Sequence, residues 1–207
     1  MSHVVTALSI EGVLMDILTA IGGLGSAFGL SASAGLNAYI PLLTVALAAR
    51  FTNWINLSEP YSILESWPLI ILLTILLIVE VFVDKIPAVD SVNDVIQTFI
   101  RPAAGAIMFA ANSNVINDMN PMIAVGAGIL LAGSVHATKG AVRPLVTAST
   151  AGTGNWFVSI VEDVIAFFAS LLAILVPFLM VIVVIVFLYF GLRFWYRRRQ
   201  QQVTIST

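Results

Sequence analysis

What most constrains this chain is an apolar run from Val164 to Phe194, some 31 residues around Pro177. As a single helix it would extend about 46 Å at 1.5 Å per residue, well beyond the roughly 30 Å of hydrocarbon in a bilayer. It is therefore either two spans that turn at Pro177 or one long kinked helix. Composition points the same way: 59% of the 207 residues are hydrophobic, 10% are charged and the mean hydropathy is +1.02, far from the balance of a soluble domain. Other apolar runs approach the length of a span, and none shows the alternation of a membrane β-barrel. The expected fold class is an all-α integral membrane protein, a polytopic helical bundle, because a helix satisfies its own backbone hydrogen bonds in lipid.

The remaining runs differ in how cleanly they would cross. Val13 to Ala34 is long enough, whereas Leu36 to Ala49, which contains Pro41, is short. FTNWINLSEPYSILESW reads as an interfacial loop whose Trp and Tyr suit the headgroup level, and PLIILLTILLIVEVFVD as a span as far as Glu80. VIQTFIRPAAGAIMFAA is interrupted by Arg101 and Pro102, which leaves a broken or re-entrant helix and a clean span as equal alternatives. No basic segment precedes the first run, so a cleavable signal peptide is not expected. The last run closes on an aromatic belt followed by Arg193, Arg197, Arg198 and Arg199, which places that end in the cytoplasm.

The residues after NSNVINDMN repeat those at the start. An ungapped shift of 103 sets Gly23 on Gly126, Gly25 on Gly128, Ser31 on Ser134, Pro41 on Pro144 and Thr44 on Thr147, and IVE at 78–80 matches IVE at 160–162 with a shift of 82. This predicts an internal duplication. A first membrane repeat would cover 1–114 with an interfacial insertion near 51–67, a second 115–196, and a basic tail 197–207. Transporter sites often lie between such repeats, at helices interrupted by Gly or Pro, so Pro41, Pro102, Pro144 and Gly140 are candidate helix breaks. The glycines of IGGLGSAFG read as packing positions in an apolar helix, and the small residues around Gly126 and Gly128 as a face that a homo-oligomer can use.

Charge is scarce and patterned. Glu80 and Asp84 are one turn apart, Lys85 follows, Asp90 and Asp94 are four apart, and Arg101 lies seven beyond Asp94. His136, Lys139 and Arg143 at i, i+3 and i+7 share a helix face, and Asn155, Ser159, Glu162 and Asp163 continue at i, i+4, i+7 and i+8. Ionised groups inside a membrane are costly unless they pair or reach water, so these faces should converge on one polar interior. Glu80, Asp84, His136, Glu162 and Asp163 are the candidates for coupling an ion or proton. Arg101, Lys139, Arg143, Asn155 and Ser159 are the candidates for holding a solute, an anionic one included. There is no cysteine, and His3 and His136 alone make no metal site. No metalloprotease helix, phosphate-binding loop or nucleophile elbow occurs. Hence no catalytic residue, metal or cofactor is assigned, and nucleic-acid binding is not expected.

The strings LSASAGLNAYIPLL, EVFVDKIPAVDSVNDVIQTFIRPAAGAI, HATKGAVRP and GNWFVSIVEDVIAF resemble the signature segments of the bacterial membrane family called domain of unknown function 4126, from about Gly12 to the basic tail. The resemblance implies a small multi-pass protein of the bacterial inner membrane and sets the charged residues from Glu80 to Asp163 in the family's motif segments. It implies no mechanism, since the family has no established activity. The expected function is that of a secondary transporter or channel-like permease for a small ion or polar solute, with the lipid bilayer and that solute as partners. The alternative is a non-transporting scaffold or lipid-binding protein in which the same charges form buried bridges.

Overall fold

The computed structural model describes residues 2–83, 87–113, 119–150 and 153–205, and these are helical almost throughout. Helices α1 (Ser2–Leu36), α2 (Tyr39–Phe51), α3 (Trp67–Val83), α4 (Pro87–Ser113), α5 (Pro121–Thr150), α6 (Thr153–Leu175) and α7 (Pro177–Ile205) follow one another, with a short 3-10 turn, Tyr61–Glu65, before α3. The protein is an all-α membrane protein. Among the described residues, four segments are long and apolar enough to cross a bilayer: Ile10–Leu36, Pro121–Thr150, Gly154–Leu175 and Pro177–Phe194. Helices α2 and α3 are apolar but shorter; the 17 residues of α3 make about 26 Å. Exposure runs opposite to that of a soluble protein. Phe99 is 76% exposed, Met122 82% and Phe187 79%, whereas Arg101 is fully buried and Gln97 and Asn37 are 1% exposed.

The chain breaks where a side chain can satisfy the freed backbone. Helix α1 ends with the Asn37 N–H donating to the Ser33 carbonyl at 3.1 Å. The Asn37 Oδ1 then accepts from the Tyr39 and Ile40 N–H groups at 3.0 and 3.1 Å and so caps α2. Pro41 falls in the first turn of α2, where its missing N–H costs nothing. The break expected at Pro41 therefore lies before it, at Asn37 and Ala38. The breaks expected at Pro102, Gly140 and Pro144 do not occur: α4 runs on through Pro102, and α5 through Gly140 and Pro144. An interior proline removes one hydrogen bond and bends a helix, but packing against neighbours keeps the helix going. The long apolar run divides at Val176. The Val176 N–H closes α6 on the Leu172 carbonyl at 2.8 Å, and Pro177 opens α7.

Small residues set the helix spacing. Ser31 on α1 shares its hydroxyl between the carbonyls of Gly105 on α4 and Gly128 on α5, at 3.0 and 3.2 Å. A methyl group on Gly105 would collide with the Ala132 side chain, and one on Gly128 with the Gly105 carbonyl. These close approaches make α1, α4 and α5 the centre of the bundle, with Phe28 and Phe109 edge to face at 5.2 Å beside them. On α1, Gly25 and Gly29 admit Pro177 and Met180, so IGGLGSAFG is packing surface, as its composition predicts. Gly128 is likewise consumed inside the fold, while Gly126 meets nothing within 4 Å. Helices α1 and α5 run in the same direction, Ser31 beside Gly128 and Gly35 beside Ala132, and α4 runs against both, Gly105 beside Gly128 and Arg101 beside His136. Serines join α6 to α1: Ser33 donates to the Ala166 carbonyl at 2.6 Å and Ser26 to that of Ala173 at 2.7 Å.

Candidate functional site

The antiparallel course of α4 against α5 lays two charged faces on each other. From α4 come Asp94, Thr98 and Arg101; from α5 come His136, Lys139 and Arg143. Helix α3 contributes Glu80 near its end, and α6 brings Glu162 and Asp163 near its middle. The faces meet as opposite charges. Arg101 Nη2 lies 3.0 Å from Glu80 Oε1, with both side chains 1% exposed. Lys139 Nζ is 2.7 Å from Glu162 Oε2, and Arg143 is 3.1 Å from Asp94 and 3.7 Å from Glu162. Lys139 also donates to the Leu36 carbonyl at the end of α1, at 3.3 Å, where helix-terminal carbonyls lack intrahelical donors. Asn37 turns its amide to Asp163 at 2.9 Å.

His136 joins the two parts of this cluster. Its Nδ1 is 3.3 Å from Arg101 Nη1 and its Nε2 is 3.2 Å from Thr98 Oγ1. A guanidinium only donates, so Nδ1 accepts and Nε2 carries the proton. That proton goes to Thr98 Oγ1, whose own hydroxyl donates to the Asp94 carbonyl at 2.8 Å. The ring is thus a neutral imidazole fixed in one tautomer by the hydrogen bonds on either side of it.

A cavity of about 200 Å³ opens between α4 and α5, lined by Asp94, Thr98, His136, Lys139, Gly140 and Arg143 among others. Pro102 and Pro144 bear on it indirectly. Each lacks the N–H that would bond four residues back, so the carbonyls of Thr98 and Gly140, both cavity residues, lose their α-helical donors. The prolines therefore free acceptors near the cavity without breaking the helices. A larger cavity of about 570 Å³, between α1, the 54–56 loop and the α6–α7 junction, carries no ionisable side chain.

Of the residues singled out in the sequence, Glu80, Arg101, His136, Lys139, Arg143, Glu162 and Asp163 come together. Ser159 is buried on α6, at 4% exposure. Asn155 stands apart: it exchanges hydrogen bonds with Thr147, joining α5 to α6 next to their connection. Asp84 and Lys85, and the side chain of Asp90, lie outside the described residues. Sequence reasoning missed Asn37, Thr98, and the buried pair Tyr39 and Gln97, which face each other beside Glu80 and Arg101. Gln97 was accessible to it, being one turn before Arg101 on the same face. Tyr39 and Asn37 were not, because their places depend on the break after α1.

No curated protein and no solved structure matches this chain. A family model does match, over residues 24–197, a stretch that holds the last third of α1, all of α2 to α6, most of α7 and every charged residue of the cluster. The chain belongs to the family described as Domain of unknown function (DUF4126).

Proposed function

We propose that the protein is a permease of the bacterial inner membrane for a small ion or polar solute, oriented with its C-terminal arginines in the cytoplasm. The solute meets the charged cluster at the cavity between α4 and α5. One observation carries the reading: the cavity is lined by His136, Lys139 and Arg143 together with Asp94, charged and titratable groups of both signs brought together at an opening between two helices. Intramembrane ionisable residues that reach a cavity mark ion and solute pathways. Glu162, which holds both Lys139 and Arg143, is the group through which an ion or proton is coupled.

The experiment is flux into liposomes carrying the purified protein. Glu162→Gln is expected to lower flux by about tenfold or more, with insertion and folding retained because Lys139 and Arg143 border the cavity and gain water from it. Unchanged flux in that variant, or a wild-type protein no leakier than empty liposomes, would remove the permease reading. A second reading, a non-transporting protein held together by buried bridges, draws on the Glu80–Arg101 pair, which is nearly inaccessible. Under it, Glu162→Gln lowers stability and no solute crosses.

A further inference from the structure

We propose that the larger cavity, at the end of the bundle away from the charged cluster, binds an uncharged molecule that carries a hydrogen-bond-donating head, a hydroxyl or a primary amide, on an apolar body. The proposal goes beyond the permease reading and does not depend on it, because the two cavities share no lining residue. On α4 the charged site takes Thr98 and this one takes Asn112, about 21 Å apart along a helix.

Volume and walls set the body. The cavity holds about 570 Å³, within the roughly 300–1,000 Å³ of small-molecule sites, whose walls are apolar and aromatic with a few polar groups that fix orientation. Here Ile174 and Pro177 supply apolar wall, and Trp54 and Phe178 supply exposed rings. Gly22 differs from Gly25 and Gly29 on the same helix. A methyl group on either of those would collide with its neighbours, whereas one on Gly22 would meet Phe178 and Pro177 at 3.7 and 3.8 Å, which is ordinary contact. Gly22 thus leaves space that close helix packing does not require.

The inner polar groups set the head. Ser26 is partly buried, and Asn112 is only 7% exposed although it lines the cavity. The Ser26 hydroxyl gives its one proton to the Ala173 carbonyl at 2.7 Å, so what remains on its oxygen accepts. The Asn112 Nδ2 donates to the Met108 carbonyl at 2.8 Å, which turns Oδ1 away from that carbonyl, and no described residue donates to Oδ1. Two oxygens positioned by backbone carbonyls thus line one cavity as acceptors. A buried acceptor without a donor is costly, and a ligand O–H or N–H supplies one. The same oxygens oppose a carboxylate. An ammonium would satisfy them but would bring a charge without a counter-ion, since no described wall residue is a carboxylate. The head is therefore an uncharged donor.

The test is calorimetry on the full chain in nanodiscs of phosphatidylcholine, a lipid with neither hydroxyl nor N–H, against empty nanodiscs. The probes share a phenyl-capped four-carbon chain and differ in the head: 4-phenylbutanamide, its N,N-dimethyl derivative, 4-phenylbutanoate and 4-phenylbutylamine. The primary amide is expected to bind about tenfold or more tightly than the dimethylamide, which keeps the carbonyl and loses both donors, and more tightly than either charged probe. Asn112→Leu is expected to remove most of that preference. Equal affinity for the two amides, no binding at all, or tightest binding of a charged probe overturns the proposal, as does an unchanged preference in Asn112→Leu. Should that variant fail to fold, Gly22→Leu fills the cavity instead: loss of 4-phenylbutanamide binding is expected, and undiminished binding places the probe elsewhere and overturns the proposal. Diacylglycerol added to the nanodiscs separates the two sources of such a head. Weakened probe binding assigns the site to a hydroxyl-bearing lipid and unchanged binding to a free solute, and either supports the proposal. Because no flux is measured, failure of the permease reading leaves this result standing.

Discussion

Replacing Glu80 by Gln keeps the shape of the side chain but removes the carboxylate 3.0 Å from Arg101. Arg101 is fully buried and cannot turn to solvent, and its contact with His136 supplies an acceptor but no negative charge. Removing one partner of a buried pair costs about 3–5 kcal/mol, because the remaining charge stays uncompensated. For a chain of this length that lowers Tm by about 10 °C. The assay is unfolding in detergent of wild type, Glu80→Gln and the charge-free double variant Glu80→Leu/Arg101→Met. The double variant is expected to recover most of the loss, since neither charge is left behind and both side chains still fill the interior. A single-variant loss under about 1 kcal/mol, the range of exposed ion pairs, would refute the reasoning, as would a double variant no better than the single.

The same assay reads the helix contacts. Gly105→Ala drives a methyl group into Ala132 and is expected to cost about 1–3 kcal/mol, the range for overpacking, while Gly126→Ala, with open space around it, should be neutral or stabilise by up to about 1 kcal/mol. Equal effects at the two positions would contradict the central packing of α1, α4 and α5. Asn37→Ala loses the cap of α2, worth about 0.5–2 kcal/mol. Asn37→Asp keeps the cap but sets a carboxylate against Asp163 and is expected to be the worse of the two; the opposite order would mean that Asn37 matters only as a cap.

Much of the site was legible in the sequence because a membrane makes charge expensive. Few ionised residues occur in the apolar runs, so their spacing carries information. The i, i+3, i+7 face of His136, Lys139 and Arg143 meets both acidic sets available to it, Glu162 in the second half and Asp94 in the first. Helix continuity was not legible. Whether a proline ends a helix depends on what packs around it: Pro102 lies near Gly105, which packs closely on Ala132 and Gly128, and Pro144 follows Arg143, which is held by Asp94 and Glu162. The segments matched at a shift of 103 also take different forms. Asn37 interrupts the first, whereas its counterpart Gly140 lies inside the continuous α5, so a sequence repeat did not carry over to the local backbone.

The two glutamates of the repeated IVE string show how one motif acquires two environments. Glu80 meets Arg101 where both side chains are 1% exposed, and Glu162 meets Lys139 beside a cavity, at 13% exposure. The first pair is too dry for a group that exchanges protons or solute with water, yet it has a positional consequence. Arg101, held by Glu80, donates to His136 Nδ1 and so directs the Nε2 proton to Thr98 at the cavity wall. The dry pair thus fixes the tautomer of a cavity residue, while Lys139 and Arg143 line the cavity itself. A charged cluster divided in this way leaves a place for each of the two readings of its residues: one part is buried between the helices, as buried bridges require, and the other borders a cavity, as the proposed permease requires.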